Sequence, residues 1–235
     1  MATGGAPIVT TKENVNYARL CRLLIDVGSE VLRDTFNRIH SSAKLSEVLS
    51  RSPIKTKLLG KKQEKGKRKL LHKTQEEELY PTSSNASVND LDITLLMILL
   101  RNICDLSPPS STGSWDKFPP DSDNSPEANI VRINLYRNKV YAHAKKASVD
   151  DATFNKLWLN IRNAILALEE SQASVIDCLK KVRMDVDDRK CYQRALAESV
   201  ERAVSIKDEF QVVKGMQTLL KHLKTISFCW CGIMV

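Results

Sequence analysis

The sequence predicts an all-α fold, and three observations support this. Apolar side chains recur at helical spacing through much of the 235 residues, and no stretch alternates as a strand does. Gly and Pro number eight each, with four of the prolines in one segment, which leaves the rest of the chain free to form long helices. A hydrophobic content of 42% is enough to bury a core.

Two helices are expected in the N-terminal part. The first begins at the capping box Thr10-x-x-Glu13. Its apolar stripe consists of Leu20, Leu24, Val27, Val31 and Ile39. A short second helix carries Leu45, Val48 and Leu49.

Positive charge is concentrated in the next segment. The chain has 36 Lys+Arg and 28 Asp+Glu, a formal charge of +8. Residues 55–73 hold nine basic side chains and one acid, so the others carry 36 − 9 = 27 basic and 28 − 1 = 27 acidic side chains. This neutral body excludes a uniformly basic nucleic-acid coat.

We expect residues 55–78 to form a basic and acidic loop insert. Three interpretations stay open: a solvated loop, a basic segment that binds RNA through its charge, or a nuclear-localisation signal. The candidate nucleic-acid contacts are Lys61, Lys62, Lys65, Lys67, Arg68 and Lys69.

The middle of the chain predicts a buried helix followed by a long loop. Residues 89–104 are apolar on all sides, which is typical of a core helix. Residues 105–125 are rich in proline and cannot form a regular element. Trp115 and Phe118 are the expected anchors of this loop.

Two further helices have clear start signals. Ser125-Pro126-Glu127 begins one that is expected to run to about Ala144. Ser148-x-x-Asp151 caps the next. Its core stripe consists of Phe154, Leu157, Trp158, Ile161, Ile165 and Leu168. We place one domain at 1–170 and a charged helical extension with an apolar tail at 171–235.

Several classes of protein are not expected. The longest apolar run, Ile93 to Leu100, is far short of the roughly 20 residues that span a bilayer. The N-terminus lacks a secretory signal. The six cysteines are scattered along the sequence, which is typical of free thiols in a reducing compartment. We therefore expect a cytoplasmic protein without a membrane span, metal site or cofactor.

The helix after Pro126 carries the most unusual side chain. Ile130, Ile133 and Val140 share one arc with Arg137 in its middle, and His143 lies about 120° away from Arg137. An arginine on an apolar arc is costly to bury unless a carboxylate or phosphate meets it. Arg137 is therefore either part of a structural ion pair between helices or a phosphate-facing group of a cleft or dimer seam.

The run RNKVYAH, Arg137 to His143, resembles the R-x(4 to 6)-H motif of HEPN domains, with Asn138 as the polar residue after the arginine. The surrounding LLRNICDL, TGSW and YRNKVYAHAKKASVDDATFNKLW resemble the HEPN domains of the DAZ-interacting zinc-finger ubiquitin ligase type. The resemblance covers about residues 14–170. Arg33 to His40 also fits the short motif but lacks this context.

The resemblance implies a helical bundle and, in many relatives, a symmetric dimer. In the ribonuclease members it implies metal-independent RNA cleavage, with His143 as acid or base, Arg137 on the phosphate and Asn138 orienting the site. Many HEPN domains are instead recognition or assembly modules in animal defence and signalling.

The expected function is therefore self-association and binding of protein or RNA, with the endoribonuclease as the alternative. A third possibility is an adaptor that recruits a partner through its C-terminal helices, about 186–224. The sequence shows nothing like a RING, so we do not expect ubiquitin transfer from it.

Overall fold

The computed structural model describes residues 11–40, 43–60 and 70–203, and every regular element in these ranges is helical. The all-α prediction is confirmed. The chain divides into one compact unit, Met1–Val200, and a second, Glu201–Val235. Of the second unit, residues 201–203 are described, and they are helical.

The N-terminal part forms α1 (Lys12–Arg22), a π-helical segment (Leu23–Gly28) and α2 (Ser29–Ile39) in direct succession. The capping box lies one residue later than predicted. The side chain of Thr11 accepts a hydrogen bond from the backbone N–H of Asn14, and the side chain of Asn14 accepts one from the backbone N–H of Thr11. The predicted stripe is buried except for Ile39, which is 39% exposed.

Three short helices follow: α3 (Leu45–Ser50), α4 (Ser52–Leu59) and α5 (Lys73–Leu79). The apolar residues predicted for α3 are buried. Helices α4 and α5 occupy the two ends of the segment predicted as a loop over 55–78. Burial of Leu58 and Leu79 in the core stabilises these two helices.

Helix α6 (Ile93–Ile103) is the predicted buried helix, with narrower bounds. Asp92 caps it by accepting a hydrogen bond from the Leu95 N–H at 2.9 Å. The proline-rich segment after it contains no helix or strand. Trp115 packs against the core, as expected of an anchor, whereas Phe118 remains 47% exposed.

Helices α7 (Pro126–Tyr141) and α8 (Asp151–Leu168) pack along one another. Ser125 caps α7 as predicted, but the helix ends before the predicted Ala144. Asp150, not Ser148, caps α8, with its carboxylate accepting from the Thr153 N–H at 2.9 Å. The whole predicted core stripe of α8 is buried.

The first unit also contains α9 (Ala173–Lys181) and a last helical segment, α10, which is described from residue 186 to the end of this unit at residue 200. Leu196 and Val200 of α10 are buried. The compact unit therefore extends beyond the boundary predicted at residue 170. None of the described helices has the length and apolar character needed to cross a bilayer.

Candidate functional site

Arg137 lies at the centre of the candidate site and is only 1% exposed. It is on α7, which is buried over most of its circumference. Ile133 and Val140, on either side of it along the predicted arc, are fully buried. The helix therefore carries the guanidinium into the interior of the first unit, as the position of Arg137 on the apolar arc indicated.

The guanidinium is held by neutral side chains from three helices. Its Nη1 donates to Thr94 Oγ1 of α6 at 2.9 Å and to Ser199 Oγ of α10 at 3.3 Å. Its Nε and Nη2 donate to Asn138 Oδ1 at 3.3 and 3.1 Å. The Thr94 hydroxyl in turn donates to the Ser199 carbonyl at 2.6 Å. Arg137 thus links α6, α7 and α10.

Burial determines the electrostatics of this cluster. Desolvation lowers the pKa of Arg137 to about 10, the negative charge of Asp92 opposes the shift, and the positive charge of Arg101 adds to it. Arg137 still carries its charge at neutral pH. The interaction with Asp92 acts through the electric field, while the hydrogen bonds named above go to hydroxyl and amide oxygens.

His143 lies outside this hydrogen-bonded cluster. Because α7 ends at Tyr141, His143 falls in the following turn, where its N–H donates to the Val140 carbonyl at 3.0 Å. Its side chain is half-buried. Of the three motif residues, the structure joins Arg137 to Asn138 and places His143 at the end of their helix.

The second match to the short motif has different surroundings. Arg33 Nη2 donates to the Leu91 carbonyl at 3.3 Å. His40 follows α2, stacks on Phe36 and places its Nε2 3.4 Å from the Cys104 Sγ. Burial lowers the pKa of His40, Arg51 lowers it further, and Asp105 opposes both.

The Cys104 thiol beside His40 lies in a desolvated environment. Burial raises the pKa of the Cys104 thiol to about 12, and the nearby carboxylate of Asp105 adds to the increase. A protonated thiol is a poor nucleophile. Cys21 is buried too, as expected of core thiols, whereas Cys178 and Cys191 are exposed.

The predicted nucleic-acid contacts, Lys61, Lys62, Lys65, Lys67, Arg68 and Lys69, lie outside the described residues. Among the described residues, no group of three or more His, Cys, Asp or Glu side chains is placed to hold a metal ion.

Sequence reasoning did not identify two members of the cluster, Thr94 and Ser199. Thr94 had a weak signal, because it is the single hydroxyl in the aliphatic run ITLLMILL. Ser199 lies between the apolar positions Leu196 and Val200 and is 2% exposed. A small polar residue beside an apolar stripe is common, so neither position stood out.

The sequence of the chain matches a known protein family. The chain matches the DZIP3/hRUL138-like HEPN family over residues 42–192. It is 29% identical over 106 residues to the E3 ubiquitin-protein ligase DZIP3 of Mus musculus and 26% identical over 98 residues to that of Homo sapiens. These stretches cover 45% and 41% of this chain but 8% of each ligase. No solved structure matches the chain.

Proposed function

Because the chain belongs to the DZIP3/hRUL138-like HEPN family, we propose that it is a non-catalytic module that works by self-association and by binding protein or RNA. The setting that we propose is cytosolic defence or signalling. Its C-terminal helices are a further candidate surface for a protein partner.

The burial of Arg137 carries this proposal. A catalytic arginine must reach a phosphate with its N–H donors. Here those donors are engaged by Thr94, Ser199 and Asn138, and the side chain is 1% exposed. This arrangement supports a structural role for the motif arginine and a function located elsewhere on the surface.

The alternative is a metal-independent endoribonuclease that uses Arg137, Asn138 and His143. It requires the hydroxyl of Ser199 to move away from Arg137 so that a phosphate can take its place. Asn138 and His143 are both half-buried, and His143 lies in the turn after α7. An imidazole in that position could act as acid or base toward a bound RNA.

The test is incubation of single-stranded RNA with the full chain in the presence of a chelator, at low and high salt. We expect binding without cleavage. If the six basic residues of 61–69 each meet a phosphate of the single strand, the affinity falls about 300-fold between 50 and 200 mM salt. Gel shift measures binding, and a denaturing gel measures cleavage.

His143→Ala is the matched variant, because it removes the imidazole and leaves the buried cluster intact. Cleavage that survives the chelator and disappears in His143→Ala would overturn the non-catalytic proposal and establish the alternative. Arg137→Ala is less informative for this purpose, because it removes a buried structural contact at the same time.

A further inference from the structure

A polar groove of about 240 Å³ opens between α7 and α8, away from the Arg137 cluster. Helix α7 lines it with Asn129, Arg132 and Tyr136, at positions i, i+3 and i+7. Such a spacing puts side chains on one face of a helix, which in a packed helix pair is usually apolar. A polar face between two packed helices needs its own explanation.

Helix α8 supplies a matching face of Asn160, Asn163, Ala164 and Ala167, at positions i, i+3, i+4 and i+7. The two alanines leave the space, because larger side chains at their positions would fill the groove. Ala167 is exposed, whereas Ala164 is buried. The groove is therefore open to solvent over a floor of methyl groups.

The buried part of the groove is rigidly held. Arg132 is 8% exposed, and it donates to Asn129 Oδ1 at 2.7 Å and to the Pro120 carbonyl at 2.6 Å. The amide of Asn129 donates in turn to the carbonyls of Asn124 and Ser125. These contacts preorganise the wall that α7 contributes.

The outer part offers hydrogen-bonding groups to a ligand. Within the described part of the chain, the side-chain amides of Asn124 and Asn163 make no hydrogen bond to a protein group, and both residues are exposed. The Tyr136 hydroxyl and the Asn160 amide line the groove together. Each side-chain amide presents donors and an acceptor together, as a peptide bond does, so the two groups can pair reciprocally.

Charge and size restrict the ligand. Asp121 and Arg132 both line the groove, so their charges offset one another, whereas a phosphate or nucleic-acid site needs a positive excess. The volume is below the roughly 300–1,000 Å³ of sites for drug-sized molecules. It suits a short stretch of extended main chain better than a helix, whose diameter is about 10–12 Å.

Two exposed apolar side chains lie close to the groove. Leu159 is 55% exposed and lies one turn before Asn163 on α8. Phe118 is 47% exposed, and its ring centroid is 5.1 Å from that of Tyr136. Both side chains are exposed enough to contact a ligand bound in the groove.

We propose that this groove binds an extended, uncharged peptide segment of a partner protein through its main-chain amides, with Leu159 and Phe118 contacting apolar side chains of that segment. The inference rests on the proposed function in one respect, since it names a surface for the protein-binding activity.

The probe is a random library of heptapeptides with blocked ends, selected on the full-length chain. We expect enrichment of uncharged peptides with apolar residues. For one selected peptide, N-methylation of its central amides removes main-chain donors and is expected to weaken binding about tenfold. Isothermal titration measures the affinity.

Ala167→Leu places a larger side chain in the groove without altering the core, and is expected to weaken peptide binding at least about tenfold. Ala152→Leu is the matched control, because Ala152 is an exposed alanine of the same helix outside the groove. It should leave the affinity unchanged. Asn163→Ala, an exposed substitution, removes one amide and is expected to weaken binding about five- to tenfold.

Absence of enrichment would overturn the inference. A peptide that binds the Ala167→Leu variant as tightly as the wild type would also overturn it, as would an N-methylated peptide that binds the wild type as tightly as its unmethylated form. Loss of RNA binding, with no peptide binding, in the groove variants would show a nucleic-acid site instead. If the chain binds peptide but neither self-associates nor binds RNA, the groove proposal stands and the rest of the proposed function is wrong. If it self-associates and binds RNA but does not bind peptide, the proposed function stands and the groove proposal is wrong.

Discussion

Desolvation of the Arg137 guanidinium costs several kcal/mol, as it does for buried ions in general. Hydrogen bonds to Thr94, Ser199 and Asn138 offset this cost, and the charge of Asp92 acts in the same direction. The donors come from one planar group, so α6 and α10 are held at a defined distance from α7. The residue therefore links helices that are distant in sequence.

Substitution of Arg137 is expected to destabilise the fold. Arg137→Ala leaves two buried hydroxyls without their donor and creates a cavity, which should lower the free energy of unfolding by about 3–5 kcal/mol. Arg137→Lys cannot supply the planar set of donors and should lower it by about 1–3 kcal/mol. Urea denaturation followed by circular dichroism measures both values.

His143→Ala is the control for these two variants. Its side chain is half-buried in a turn, so the expected change in unfolding free energy is within about 1 kcal/mol. An Arg137→Ala protein as stable as the wild type would show that the guanidinium contributes nothing to the fold, and the structural role would then be withdrawn.

The sequence placed Arg137 on an apolar arc but did not identify its partners. Helical periodicity depends on neighbours within two turns, and it placed the arginine correctly on the apolar arc. Thr94 and Ser199 are 43 and 62 residues away from it. Contacts of that range depend on how helices are arranged, which local periodicity does not contain.

At the scale of elements, the N-cap residue of α6, Asp92, has two roles. Asp92 caps the helix through the Leu95 N–H, and its charge opposes the lowering of the Arg137 pKa. An N-terminal carboxylate also interacts favourably with the helix dipole. Capping and charge can be separated, because asparagine caps a helix about as well as aspartate does.

Asp92→Ala is expected to lower the free energy of unfolding more than Asp92→Asn, with a difference of about 1 kcal/mol for the lost cap. Asp92→Asn should still destabilise the protein, since Arg137 loses its opposite charge. Ser125→Ala, which removes only the cap of α7, should cost about 1 kcal/mol. An Asp92→Asn protein with wild-type stability would contradict the electrostatic role.

Helix positions were predictable, and the residues that cap them were less so. The stripe of α8 was predicted completely because apolar burial follows the helical period. Its predicted capping partner Asp151 instead pairs with Lys12 and accepts a hydrogen bond from Asn16. Asp150 caps the helix in place of the predicted Ser148.

At the scale of the whole molecule, the first compact unit is larger than the family match. The match ends at residue 192, whereas the unit extends to Val200 and uses Leu196 and Ser199 in its interior. The predicted boundary at 170 followed the extent of the family resemblance and the charged helical character of the residues after it. Leu196 and Val200 bury one face of α10, and most of its other residues are exposed or half-buried.

Self-association is the remaining prediction at this scale. Among the described residues, six large apolar side chains stay exposed: Ile39, Phe118, Leu159, Val175, Val182 and Val186. Isolated apolar side chains on a surface are normal. Three of these six lie between residues 175 and 186, however, and a symmetric dimer would bury such a stretch against its own copy.

Light scattering on the full chain is expected to give twice the monomer mass of 26.5 kDa, at concentrations of about 50 µM and above for a dissociation constant in the micromolar range. The dimer fraction should fall on dilution. Because salt screens charges and not apolar contacts, the dimer should persist at about 0.5 M NaCl. A monomer mass throughout the series would contradict self-association, and dissociation by salt alone would assign the contact to charged residues instead of the exposed valines.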